Sequence, residues 1–335
     1  MSQKKKAVYD LYPRMTDTVI NENRQQMPKR VSRDFSDNDI LRVLMESNPA
    51  MMHSLNFLIL SEEFYWKSQG GDVIFPESPA VLDNLLRAKY QMDSPEGFRL
   101  PFSAFSVAIP NGYAFNGVRL LPFMVTFIHH RTAQDITTLP FCRKIGLREP
   151  PGFGYAESRP EAMALSITFR DPTNRHAYIR TLQLDEALPR VLKCQTAMEY
   201  KQVVGDYEDK FGVIDLTESE LEAQFLAVKL VAALGVYHMA TNGDRLSDGY
   251  PGSQEPRMNN RDKSLRMRFS TLRNKADVDA IEARDAFYRT WFFRQLRADR
   301  YYQGEHEKTP RGSRYSFVSD TVVGQKVTPH TQRDD

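Results

Sequence analysis

The chain has 335 residues, with 45 Lys plus Arg against 43 Asp plus Glu. The resulting net charge of +2 excludes a globally basic nucleic-acid coat and a long acidic tail. A composition 41% hydrophobic and 26% charged is that of an ordinary soluble globular protein, and the two cysteines, Cys142 and Cys194, exclude a disulfide scaffold and fit a reducing cytoplasm.

Residues 1 to about 35 are rich in Lys, Arg, Gln and Asn and read as a flexible basic arm. They lack the apolar core of a secretory signal. Ser36-Asp37-Asn38-Asp39 starts a helix, Ile40, Leu41, Val43 and Leu44 continue it, and Pro49 limits it. Met51 to Trp66 is a second helical stretch closed by Gly70-Gly71, and Ala80 to Gln91 a third. After Pro95 the period changes from helical to two. Phe105, Val107 and Ile109 alternate, and Asn111-Gly112 is a hairpin signal because both residues tolerate positive φ. Phe123, Val125 and Phe127 form another strand. Leu165, Ile167 and Phe169 turn through Asp171-Pro172-Thr173-Asn174 into Tyr178 to Leu184. Thr217 with Glu220 is a capping box that opens an apolar, central helix ended by Asn242-Gly243. Its apolar core, Phe225 to Tyr237, is too short to span a bilayer. A last long helix is predicted from about Asp277 to Arg300, with Trp291 in the core. The order is therefore an arm (1–35), one α+β domain (36–324) and a tail (325–335). Within the domain, helices in 36–92 and 217–302 flank a mainly antiparallel sheet at about 100–185.

No motif states a reaction. His129-His130 would point to opposite faces of a strand, and no His-x-Glu, His-Glu-x-x-His or Cys-x-x-Cys spacing occurs. Neither cysteine sits in an activated context. Gly152-Phe153-Gly154 and Gly70-Gly71 match no phosphate-binding pattern, and Asp206-Tyr207-Glu208-Asp209 lacks calcium-loop spacing and reads as a solvated loop. No metal, cofactor, membrane or catalytic residue is therefore expected, and the protein reads as a cytoplasmic binding protein rather than an enzyme.

The charge balance hides an asymmetry. From Arg257 to Tyr315 there are 15 Lys plus Arg against 8 Asp plus Glu, a local +7. On the predicted last helix Arg289, Arg297 and Arg300 fall within about 80° of one another. Tyr302, Arg311, Arg314 and Tyr315 follow. Arginines interleaved with tyrosines suit a peptide, through carbonyl hydrogen bonds and cation–π contacts. They equally suit RNA, through phosphate forks and stacked bases. A solvated face with salt bridges such as Asp285 to Arg289 is the plain alternative.

Several short segments carry a family resemblance. They are Phe75-Pro76 with Pro79-Ala80-Val81-Leu82-Asp83-Asn84, Leu100-Pro101 through Ile109-Pro110, and the apolar helix near residue 230. The series ends with Arg297, Arg300, Tyr302, Gly304, Arg314 and Val322-Val323-Gly324. Their order over residues 73 to 324 resembles the second type V-A anti-CRISPR protein family, carried by phages and plasmids. The tail differs, with Arg, Asp and Tyr where the family is heavier in His and Trp. The resemblance implies a bacterial cytoplasmic protein that recognises a nascent polypeptide on the ribosome and down-regulates its mRNA. The contact residues would be Arg289, Arg297, Arg300, Tyr302, Arg311, Arg314 and Tyr315, with RNA as a second partner class. The alternative from the basic segment is a nucleic-acid-binding regulator or a motif-less RNase.

Overall fold

The computed structural model describes residues 9–129, 134–148, 163–211 apart from 172 and 175, 216–252, 256, 258, 266–274, 287–318 apart from 289, and 322–323. The chain starts with β1 (Tyr9–Asp10), α1 (Met15–Gln26), α2 (Lys29–Asp34), α3 (Asp37–Ser47), α4 (Leu55–Ser68), β2 (Asp72–Pro76) and α5 (Pro79–Arg87). Short strands follow: β3 (Lys89–Gln91), β4 (Ala104–Val107), β5 (Ile109–Pro110), β6 (Ala114–Phe115) and β7 (Val118–Arg119). Next come β8 (Phe123–His129), α6 (Leu139–Ile145), β9 (Met163–Arg170), β10 (Tyr178–Leu184), α7 (Leu188–Val191), α8 (Ala197–Phe211) and α9 (Glu218–Ala240). The last elements are β11 (Leu246–Asp248), β12 (Arg268–Leu272), β13 (Phe287–Tyr288), β14 (Phe292–Gln295), β15 (Tyr315–Val318) and β16 (Val322–Val323).

The architecture is α+β, built on a seven-stranded sheet ordered β10-β9-β8-β4-β2-β12-β11. Its long hairpins are antiparallel, while β2 runs parallel to both β4 and β12. Strand alternation sends Phe105, Val107, Leu165, Ile167 and Phe169 to one face, under α5, α7 and α9. Ala104, Met124, Val73 and Phe75 go to the other, under α1, α3, α4 and α6. α9 has the predicted Thr217–Glu220 capping box. At 23 residues it is long and apolar enough to cross a membrane by length and composition, but 89% of that apolar window is buried inside the fold. It is the core helix of a globular body. Its one buried lysine, Lys229, donates from Nζ to the Cys194 carbonyl at 2.7 Å.

Several expectations are corrected. Residues 9–20 of the supposed arm dock into the core: Tyr9, Tyr12, Met15 and Ile20 are buried, and β1 pairs with β5, while residues 21–35 carry no buried residue among those described. α1 has no side-chain cap of its own. Glu63 of α4 supplies one instead. Its Oε1 accepts from the Met15 N–H at 2.6 Å and the Tyr12 hydroxyl at 2.9 Å. Its Oε2 accepts from the Thr16 N–H at 2.8 Å. The cap comes from 48 residues away, so no local signal announces the helix. The third helix stops at Arg87, because Lys89–Gln91 is recruited as a strand. The sheet is not confined to 100–185, since Asp72–Pro76 and Arg268–Leu272 complete it. The two-residue hairpin turn is Asn116-Gly117, both with positive φ, while Asn111-Gly112 makes a turn between β5 and β6. Asp206 to Asp209 lie within α8 rather than in a loop. The predicted last helix is absent from 287 to 300, where β13, β14 and a 3-10 turn at Asp299–Tyr301 stand in its place. Residues 149–154, 277–286 and the tail 325–335 lie outside the described residues.

Candidate functional site

The C-terminal segment forms a second, three-stranded sheet ordered β15-β14-β3. β14 pairs antiparallel with β15 and parallel with β3. In register, Tyr90, Phe293 and Phe317 share one face. Tyr90 stacks on Phe293 at 5.2 Å and Phe293 on Phe317 at 4.5 Å. Phe317 meets Tyr237 of α9 edge-on at 5.6 Å, and Tyr237 stacks on Trp291 at 5.2 Å. Trp291 is therefore core, as the sequence predicts, although it precedes a strand rather than sitting in a helix. This aromatic layer fixes the small sheet on α9 and turns its other face outward.

The outward face is set by the same alternation. Lys89, Phe292 and Val318 form one cross-strand row, and Gln91, Arg294 and Ser316 the next. Lys89, Gln91, Arg294 and Val318 are exposed; Phe292 and Ser316 are half-buried. β15 is an edge strand among the described residues. Two cations, two amide or hydroxyl groups and two apolar side chains thus lie on one face, beside an open backbone edge.

The predicted contact residues divide into three groups. Arg297, Arg300 and Arg311 are exposed. Arg297 has no partner among the described residues. Arg300 lies 4.9 Å over the Tyr301 ring, and Arg311 pairs with Asp299 at 2.5 Å. Arg314 is half-buried and donates to the Tyr301 carbonyl, so it ties the loop. Tyr302 and Tyr315 are buried at 7% exposure and cannot stack on a partner. The Tyr302 hydroxyl donates to the Leu296 carbonyl at 2.6 Å and accepts from the Gly312 N–H at 2.8 Å. Burial pushes the Tyr315 phenol well above its usual range, and its hydroxyl has no hydrogen-bond partner among the described residues. Arg289 lies outside the described residues.

Gln295 completes the loop scaffold. Its Oε1 accepts from the Asp93 and Ser94 N–H groups at 3.1 and 3.3 Å, and its Nε2 donates to the Ser94 and Gly312 carbonyls at 2.9 Å each. All four amide positions are used, across about 200 residues of sequence. Gly312 has φ +80, and a Cβ there would lie 2.6 Å from the Glu96 carbonyl oxygen, so only glycine fits this approach.

Sequence reasoning missed Lys89, Gln91, Phe292 and Arg294. The signal was present at Lys89-Tyr90-Gln91, a polar–aromatic–polar alternation, but the preceding helical period absorbed it. No group of three or more His, Cys, Asp or Glu that could hold a metal ion occurs among the described residues. The arrangement offers binding chemistry: fork-shaped donors, a cation–π pair and a strand edge. Comparisons with family models, curated proteins and solved structures found no match.

Proposed function

We propose that this chain binds an extended polypeptide at its C-terminal sheet, recognising a nascent target on the ribosome and down-regulating the corresponding mRNA. The carrying observation is the outward face of β3, β14 and β15, where Lys89 and Arg294 flank Phe292 beside the edge strand β15. A peptide in extended form would pair its backbone with the β15 edge. Its alternate side chains would then lie over the Phe292–Val318 row, and its acidic groups or carbonyls would meet Lys89, Arg294 and Arg297. This needs no catalytic residue in the chain. The family resemblance supports the translational setting.

The exposed Arg300 over the half-buried Tyr301 ring favours a second reading, contact with RNA, because a guanidinium on a ring offers a stacking platform. One experiment separates the two. The tagged chain is purified with ribosome–nascent-chain complexes, and the captured mRNA is recoded in its first codons. Synonymous recoding should leave capture and mRNA loss intact. Recoding to a different peptide should abolish both. The reverse pattern would refute the peptide reading in favour of RNA.

A further inference from the structure

The main sheet ends in two edges that differ. β11 is three residues long and carries the exposed Asp248, and shortness and charge both discourage strand addition. β10 has neither device at its edge. It runs seven residues, Tyr178–Leu184, pairs with β9 at every position without a bulge, and contains no proline, lysine or glycine. No described strand pairs with its outer side. Both of its faces are packed. On one, the Thr181 hydroxyl accepts from the Gln224 amide of α9 at 2.5 Å. On the other, Arg180 donates from Nε and Nη2 to Glu62 Oε1 of α4 at 3.0 and 2.7 Å. That ion pair compensates the one charge within the strand. Ile179 and Leu182, on opposite faces, are half-buried. A long, regular, neutral edge of this kind is a template for another strand.

We infer that β10 is a self-association edge, at which two copies of the chain pair antiparallel about a two-fold axis at Thr181 and join their main sheets into one. In this register Thr181 faces its own counterpart, Arg180 faces Leu182 of the second copy, and Ile179 faces Gln183. No like charges are opposed. An in-register parallel pairing would set Arg180, Asp185 and Glu186 each against its own counterpart, which is unfavourable. A second copy fits better than a foreign strand because the same neutral edge serves both sides. One two-fold operation also uses up both β10 edges, so the assembly closes at two. The inference is independent of peptide binding at β15.

Contact between two such strands is small, so a dimer Kd on the order of 10 µM is expected. Sedimentation of the full chain over about 1 to 200 µM should show monomer passing to dimer. Amides of residues 178–184 should exchange at least about fivefold more slowly at the top of that range, while those of 246–248 and 315–318 stay unchanged. A monomer throughout refutes the second copy as occupant. A dimer whose slowed amides lie at 246–248 or 315–318 instead overturns the assignment to β10. Two variants then test the register. Leu182→Lys sets a like charge opposite Arg180 of the second copy, and Leu182→Glu sets an opposite charge there. The Lys variant should dimerise about tenfold more weakly than the Glu variant. Equal dimer affinity for the two, with thermal unfolding showing both folded, overturns the pairing about Thr181.

Discussion

Two buried polar residues show how single side chains carry more of this fold than its exposed arginines. Lys229 is 3% exposed on the central helix, with one carbonyl acceptor and the Phe225 ring 5.5 Å from its Nζ. Burial holds its ammonium below the usual lysine range. Between that lowered value and 10.5 the unfolded chain keeps a proton that the native state has shed. Stability therefore rises with pH across that window and is flat below it. Lys229→Met keeps the volume and removes the charge, so it should change stability by less than about 1 kcal/mol and abolish the alkaline rise. Urea titrations at neutral and alkaline pH test both statements, and an unchanged alkaline slope in the variant would reject the assignment to Lys229. Tyr302 gives a contrast with its neighbour. Tyr302→Phe leaves the Leu296 carbonyl and the Gly312 N–H without their buried partner, and should cost about 2 kcal/mol. Arg300→Ala, at the surface, should cost less than about 0.5 kcal/mol. Equal losses for the two would contradict the division of these residues into scaffold and surface.

At the scale of elements, the structure is decided where a distant segment completes a local one. α1 exists as a docked helix because Glu63 receives the donors at its start. Glu63→Ala would leave the Met15 and Thr16 N–H groups and the Tyr12 hydroxyl unpaired in a buried site, a loss of about 3 kcal/mol. Hydrogen exchange should quicken first across residues 15–26, before the central sheet responds. Uniform exchange over both would show that α1 is not a separable unit. Elements whose signals are local were legible: the helix start at Ser36–Asp39, which the structure makes a capping box, the capping box at Thr217–Glu220, and the alternating β9–β10 hairpin. Those completed from afar were not. Tyr288, Trp291 and Phe292 satisfy helical spacing, yet Phe292 to Gln295 also alternate half-buried, buried, exposed, buried. Strand wins because β3, some 200 residues earlier, and β15 supply a ladder on both sides. The candidate site followed the same rule. Arg297 and Arg300 were found as exposed residues, but Lys89 and Arg294 became neighbours only through that pairing.

At the scale of the molecule, the C-terminal positive charge does not form one patch among the described residues. Arg268 pairs with Asp72 at 2.5 Å at the start of β12, and Arg311 and Arg314 are spent on Asp299 and the Tyr301 carbonyl. Among the described residues, what remains near the small sheet is Arg294, Arg297 and Arg300 with Lys89, which suits a modest salt dependence. The response to acid is set elsewhere. His238, in the last turn of α9, stands at a helix end where a positive charge is normally favoured. Burial outweighs that and lowers its pKa below 6.5. As pH falls through 6.5 the unfolded chain takes up a proton before the native state does. Stability therefore declines from about pH 6.5 down to the lowered value and loses nothing further from this residue below it. His238 packs against the Asn242-Gly243 turn that ends α9. Thermal unfolding followed from pH 7 to pH 5 should show a falling Tm that His238→Gln flattens. A slope unaffected by that substitution would assign the acid sensitivity to the carboxylates instead.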